Sequence, residues 1–344
     1  MIDIILKHLA SYPRMQLQDI AKLLYQSEFG GGHMIADAKK SLGCIRSEFE
    51  SLKDSPHSPI IETIGDGMCR IYLSCLNHGM TAEVLNEIFV QCANHKEGSI
   101  ANLEKKIELF LGICEKNETP YRIGEANHFF ADWKKKGYPM MRHSEIYRET
   151  YQPAYRVIEE SYIKVYNVIQ MIEKAKRPLA IAIDGMSAGG KTTLGELLKK
   201  NYPKANLFHM DAYFLRPSQR TEKRMEEVGG NLDYERFKAE ITDHLTDENG
   251  FKYRSYDCLT QTLGNERYVP QSSLNIIEGV YSQHPYFGDP YDIRLFCEIS
   301  KEEQETRILK RNGSMMLKRF QDEWIPKENQ YFETYEIKEK SECV

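Results

Sequence analysis

Gly185-Met186-Ser187-Ala188-Gly189-Gly190-Lys191-Thr192 decides the fold of this chain. It fits G-x-x-x-x-G-K-[ST], the spacing of a nucleotide-phosphate loop. Leu179-Ala180-Ile181-Ala182-Ile183-Asp184 before it is a short apolar run that reads as a buried strand. Thr193 to Lys200 after it carries Leu194, Leu197 and Leu198 at helical spacing. A strand, a glycine turn and a helix N-terminus together make an anion site, because backbone N–H groups and the positive end of the helix dipole converge there. In such a loop Gly185, Ser187, Ala188, Gly189, Gly190, Lys191, Thr192 and Thr193 bind the nucleotide. Lys191 reaches the β- and γ-phosphates, and the Thr192 hydroxyl ligates Mg²⁺. A bare glycine-rich turn would explain neither Lys191 nor Thr192.

Working outward, residues 178–344 alternate strand and helix. Apolar runs fall at 179–183, 206–209, 274–278 and 293–299, and helical patterns at 193–200, 233–245 and 301–311. That alternation predicts an α/β fold of the P-loop nucleoside-triphosphate hydrolase class, a parallel sheet flanked by helices. Ligands of such sheets bind beyond the carboxyl ends of the strands. Asp184, Asp211 and Glu278 fall at those ends, so all three are expected to face one crevice. A carboxylate there can organise Mg²⁺ or take a proton from an attacking hydroxyl. The plain alternative is a solvated turn residue or a helix cap.

Residues 1–150 read as a mostly helical domain. Helices are predicted over Met15–Glu28, over Thr81–Ala93 with Thr81 as cap, and over Ser99–Glu115. A longer one is predicted over Tyr155–Ala175, so that 151–177 is a linking helix ending at Lys174-Ala175-Lys176-Arg177-Pro178. The polar residues here have two readings. Gln26-Ser27-Glu28-Phe29-Gly30-Gly31-Gly32-His33, the group Glu62, Asp66 and Arg70, and His143 with Glu145 before Tyr147-Arg148 could form a second small-molecule site. The expected reading is a helix C-cap at Gly30 and ordinary surface polar residues. His33, His128 and His143 lack metal-ligand spacing.

The bulk properties narrow the classes. At 344 residues, two domains are expected. A net charge of −5 argues against a general nucleic-acid binder. No apolar run approaches ~18 residues, so no membrane span is expected. The N-terminus lacks the basic start and cleavage site of a secretory signal. The 8 cysteines are scattered without a C-x-x-C pair, which suits reduced thiols in a cytoplasmic protein. A homo-oligomer is compatible with the sequence, which does not fix the assembly.

Several segments after residue 178 occur in a telling order. They are Gly185–Thr193, His209–Leu215, Gly229–Phe237, Tyr253–Cys258, Ile276–Tyr281, and Tyr291-Asp292 through Arg307–Arg311. In this set the chain resembles the uridine kinase branch of the phosphoribulokinase, uridine kinase and pantothenate kinase family, over residues 178 to about 337. The resemblance implies ATP and Mg²⁺ as cofactors and phosphoryl transfer to a primary hydroxyl of a small molecule, such as a nucleoside like uridine. It implies catalytic roles for Asp211 as general base, for Lys191, and for Arg307 and Arg311 on an arginine-bearing lid, with Arg319 a looser match. Glu278, with Thr192 and Asp211, would organise the metal. Tyr213, Tyr256, Asp257 and Gln261 would line the acceptor pocket. The chain departs from the family pattern in two places. Thr260-Gln261 stands where uridine kinases carry a base-reading histidine, and Arg220–Glu227 is a charged insertion. Another small hydroxyl acceptor, pantothenate- or sugar-like, therefore stays open. So does a nucleotide-driven regulatory switch, although no N-K-x-D segment is present.

Overall fold

The computed structural model describes residues 1–31, 37–52, 60–175, 179–258 and 260–344. Gly32, His33 and the Lys176-Arg177-Pro178 of the expected break lie outside the described residues. The chain forms two compact units, Met1–Gln170 and Met171–Val344. No helix among the described residues is long and apolar enough to cross a membrane.

The first unit is mostly helical, as its sequence suggests. Its helices are α1 (Ile2–Ser11), α2 (Leu17–Phe29), α3 (Ala38–Ser51), α4 (Ala82–His95), α5 (Ile100–Glu115), α6 (Ile123–Lys135) and α7 (Glu145–Tyr151), and α8 (Ile163–Ala175) spans the boundary. Thr81 caps α4 by accepting from the Val84 N–H at 3.3 Å. Gly30 ends α2 with φ 62°. Packing holds these short helices, since isolated helices of this length are marginal in water. Ile20, Leu23 and Leu24 of α2 are fully buried in one core with Phe110, Phe130 and Trp133.

This unit also holds a three-stranded antiparallel sheet that the sequence reading did not anticipate. Its order is β1 (Ile61–Gly65), β2 (Met68–Tyr72), β3 (Tyr155–Glu159). The helix expected over Tyr155–Ala175 is therefore corrected: its first five residues are a strand paired to β2, a 3₁₀ turn follows at Glu160–Tyr162, and the α-helix begins at Ile163. All five residues of β2 are buried, Arg70 among them. A charged residue inside a fully buried strand broke the apolar pattern that would have revealed it.

The second unit carries the expected parallel sheet. Its order is β12 (Glu342–Cys343), β11 (Ile293–Cys297), β4 (Leu179–Gly185), β10 (Leu274–Glu278), β5 (Asn206–His209), and every pairing is parallel. All seven residues of β4 and all five of β10 are buried, as strands covered on both faces must be. The register sets Glu278 beside both Ile183 and His209. The ends of three adjacent strands thus meet at one edge. Helix α9 (Lys191–Asn201) leaves that edge, and α12 (Lys301–Arg319) and α13 (Ile325–Tyr335) follow β11. The helical pattern at 233–245 is shorter than expected, with α11 at Tyr234–Glu240 and a single 3₁₀ turn beyond it.

Candidate functional site

The loop 185–190 joins β4 to α9 where strand, turn and helix N-terminus were expected. Gly185 has φ 130°, and a Cβ there would lie 2.3 Å from the Cys297 carbonyl oxygen of β11, so only glycine fits. Ala188 (φ 61°) and Gly190 (φ 92°) also take left-handed backbone. Such turns aim successive N–H groups into an anion-binding concavity. Lys191 is buried at the base of α9, and its Nζ donates to the carbonyls of Gly185 at 2.8 Å and Met186 at 2.9 Å. The ammonium is therefore held over the loop with no carboxylate neutralising it at contact distance among the described residues.

Ser187 is clamped from two helices. Its N–H and hydroxyl donate to the Glu328 carboxylate of α13 at 3.1 and 2.6 Å, and its carbonyl accepts from Gln304 Nε2 of α12 at 2.9 Å. Burial raises the pKa of Glu328, and the Asp211 charge adds to this. The Lys191 charge and the Ser187 hydrogen bonds oppose it. Neither Glu328 nor Gln304 was singled out in the sequence, because each lies more than 110 residues from the loop and no local spacing marks them.

The carboxylates gather on the other side of Lys191. Thr192 Oγ1 donates to Glu278 Oε2 at 3.1 Å, and Glu278 Oε1 lies 2.5 Å from His209 Nδ1. The hydrogen bond to Glu278 raises the pKa of His209 against burial, and the charges of Glu278, Glu196 and Asp211 add to it. Asp211 sits on the 3₁₀ turn Met210–Tyr213 that continues β5, with its side chain open to water but walled by protein. Burial raises its pKa, and the Glu278 charge raises it further. Lys191, His209 and Arg311 pull it down. These five charged groups share one field, so the structure brings Asp211, Glu278, Thr192 and Lys191 together. His209 belongs with them. The available signal for it was its place at the end of the 206–209 run, two residues before Asp211.

Asp184 departs from expectation. It is fully buried and faces no open crevice. Its oxygens accept from the Gly185 N–H at 2.7 Å, the Gln283 N–H at 3.2 Å and the Tyr331 hydroxyl at 2.8 Å. Burial pushes its pKa up to about 6 despite these donors. It braces the loop from beneath.

The arginines split. Arg307 on α12 donates to the Ala188 carbonyl at 3.1 Å, directly on the loop. Arg311, one turn on, is exposed, with Nε on Asn312 at 2.7 Å. Arg319 pairs with Glu323 at 3.1 Å and covers the Trp324 ring. Gly313 interrupts α12 with φ 80° between Arg311 and Arg319, so the three do not share one helical face.

The expected acceptor residues also differ in placement. Strand β7 (Tyr256–Asp257) lies beside the turn that bears Asp211 and pairs with β8 (Thr262–Leu263) in a small hairpin. Tyr256 is 3% exposed, and its hydroxyl has no hydrogen-bond partner among the described residues. Asp257 and Gln261 are exposed, Gln261 at the hairpin tip with φ 56°. Tyr213 instead belongs to the core. It is 1% exposed, stacked edge-on to Phe237, with its hydroxyl on Glu240 at 3.2 Å. Thr193 is exposed on the first turn of α9.

Among the described residues no cluster of three or more His, Cys, Asp and Glu side chains could hold a metal by itself. The oxygen donors Thr192, Glu278 and Asp211 nevertheless fit a hard divalent cation that takes most of its ligands from phosphates and water.

No protein-family model and no curated protein matches the chain. Among solved structures it is similar to a Bacillus stearothermophilus protein described as a possible uridine kinase, at 21% identity and TM-score 0.43, over 54% of this chain and 98% of that one. It is also similar to a candidate fructose transport system kinase from Silicibacter sp. TM1040, at 18% identity and TM-score 0.41, over 51% of this chain and 94% of that one.

Proposed function

We propose that the second unit is an ATP- and Mg²⁺-dependent small-molecule kinase that phosphorylates a primary hydroxyl, with a nucleoside such as uridine as the first acceptor to test. One observation carries this reading. The phosphate loop, with Lys191 and Thr192, lies within the field of two carboxylates at adjacent strand ends, Asp211 and Glu278. Phosphoryl transfer asks for positioning and charge neutralisation more than covalent help. In this reading Lys191, the loop N–H groups and Arg307 hold the phosphates. Thr192 and Glu278 would hold Mg²⁺, which would supply charge neutralisation to the phosphates. Asp211 accepts the hydroxyl proton, and its raised pKa makes it a better base than an ordinary aspartate.

The orphaned Tyr256 hydroxyl supports an acceptor pocket beside Asp211, since a buried hydroxyl is costly until something bonds it. The exposed Gln261 and the absent histidine leave the base, or a sugar- or pantothenate-like acceptor, to experiment.

The test is a coupled ADP-release assay over nucleosides, pantothenate, sugars and sugar phosphates with Mg·ATP. Turnover with one hydroxyl class above the rest is the expected result. Folded protein that releases ADP with none of them would sink the proposal.

A further inference from the structure

A cavity of about 520 Å³ in the first unit has no part in the reading above. Its wall includes Lys22 and Gln26 of α2, Arg142, Arg148 of α7, and Tyr155 and Arg156 of β3. Lys22 and Gln26 are four residues apart on α2, so both present to the same side.

The cavity is positive. Glu48 also lines it, but it is committed to Arg156, which grips it with two hydrogen bonds at 2.8 and 3.1 Å. His143, also in the wall, is buried and held neutral at pH 7, with its pKa down to about 3. Lys22, Arg142 and Arg148 have no carboxylate partner among the described residues; Lys22 Nζ reaches only the Met141 carbonyl, at 3.2 Å. The Lys22 ammonium is pushed down to about 8 by burial and by the charges of Arg70 and Arg142, against the pull of Asp19.

The cavity also has unmet donors. Gln26 is 1% exposed, and its Oε1 accepts from Arg70 Nε at 3.2 Å and Nη2 at 2.9 Å. Arg70 is fully buried and can only donate, so the orientation of the Gln26 amide is fixed. Its Nε2 is left buried with no acceptor among the described residues. A buried amide N–H pair without an acceptor is rare enough in native proteins to need a cause.

We propose that this cavity is a binding site for a small molecule bearing a phosphate monoester or diphosphate group. Three unneutralised cations and a stranded donor pair call for an acceptor-rich anion. A lone carboxylate would leave most of that charge uncompensated, whereas a phosphate dianion matches it and suits the planar arginine fork. The volume lies within the range of small-ligand pockets. The site is distinct from the phosphate loop and stands whether or not the second unit is a kinase.

The test is calorimetric titration of the full chain with inorganic pyrophosphate at low ionic strength, without metal. Lys191→Ala silences the phosphate loop. The expected result is one remaining site, weakened about tenfold or more by adding Arg142→Gln and Arg148→Gln, and weakened less by the charge-keeping Arg142→Lys and Arg148→Lys. Both arginines are exposed, so these changes spare the fold. If Lys191→Ala fails to fold, the unmodified chain is compared directly with the glutamine pair, which must lose one of two sites. Affinity unchanged by the glutamine pair, or no binding to folded Lys191→Ala protein up to about 10 mM, overturns the proposal.

Discussion

Thr192 Oγ1 donates to Glu278 Oε2 at 3.1 Å, tying the last residue of the phosphate loop to the last residue of the neighbouring strand. The bond depends on register. Parallel pairing sets Glu278 beside Ile183, two residues before the loop begins, and α9 approaches so closely that a Cβ on Gly195 would stand 3.3 Å from Glu278 Cγ. A hydroxyl and a carboxylate are thereby fixed together at the mouth of the loop, where a hard cation on a bound triphosphate would need them.

Asp211→Asn keeps size and removes the proposed base. Turnover should fall about 10²- to 10⁴-fold while nucleotide affinity changes less than about tenfold. Steady-state assay and equilibrium ADP titration on the same preparation check this. A nucleotide-driven switch would instead keep its nucleotide-dependent partner binding in this variant.

Glu328 tests how the loop is held. In Glu328→Leu the Ser187 N–H and hydroxyl lose their buried acceptor, which costs about 1–3 kcal/mol. The midpoint of thermal unfolding should drop, and ADP should bind more weakly. Glu328→Gln keeps one acceptor oxygen and should fall between the two. Equal ADP affinity in all three proteins would show that the clamp does not shape the loop.

Much of this site was legible in the sequence because phosphate binding is local. Gly185, Lys191 and Thr192 lie within eight residues, and their spacing follows from backbone geometry. Asp211 and Glu278 were legible because each ends an apolar strand run. Asp184 ends one too, yet it turns inward to meet Tyr331, and only tertiary packing decides that. Tyr213 and Tyr256 belong to comparable motif segments, but one is a core residue with a satisfied hydroxyl and the other is not satisfied. The first unit was the least legible. Gln26, Glu62, Arg70 and His143 were expected at the surface, and each is at least nine-tenths buried. Their long-range pairing leaves no periodicity to read. Asp66 stands apart from them, partly exposed and paired with Lys106.

Tyr256→Phe separates ligand binding from packing. The wild-type hydroxyl is buried without a partner among the described residues, so its removal should leave thermal stability unchanged or slightly higher. If the hydroxyl serves the acceptor, KM for that acceptor should rise about 3- to 10-fold with kcat nearly constant. A fall in stability with unchanged KM would place the hydroxyl in the fold alone.

His143 should give the first unit an acid-labile step. Its ring is buried between Asp19, which lies 2.8 Å from Nδ1, and the Tyr155 hydroxyl, 2.6 Å from Nε2. Burial lowers its pKa to about 3, with the Asp19 hydrogen bond opposing and the Arg70 and Lys22 charges assisting. An unfolded histidine titrates near 6.5, so below that pH the unfolded chain binds the extra proton and the folded chain refuses it. Stability is therefore full above about pH 6.5 and drains as pH falls toward 3, by several kcal/mol at the limit. Asp19 adds to the loss only lower down, because its own pKa is lowered and its contribution lasts until the carboxylate begins to protonate. Unfolding midpoints measured from pH 7 to 4.5 should slope downward in the wild type and flatten in His143→Gln, which keeps an amide for Asp19 and cannot take a proton. A parallel slope in both proteins would assign the acid sensitivity to other groups.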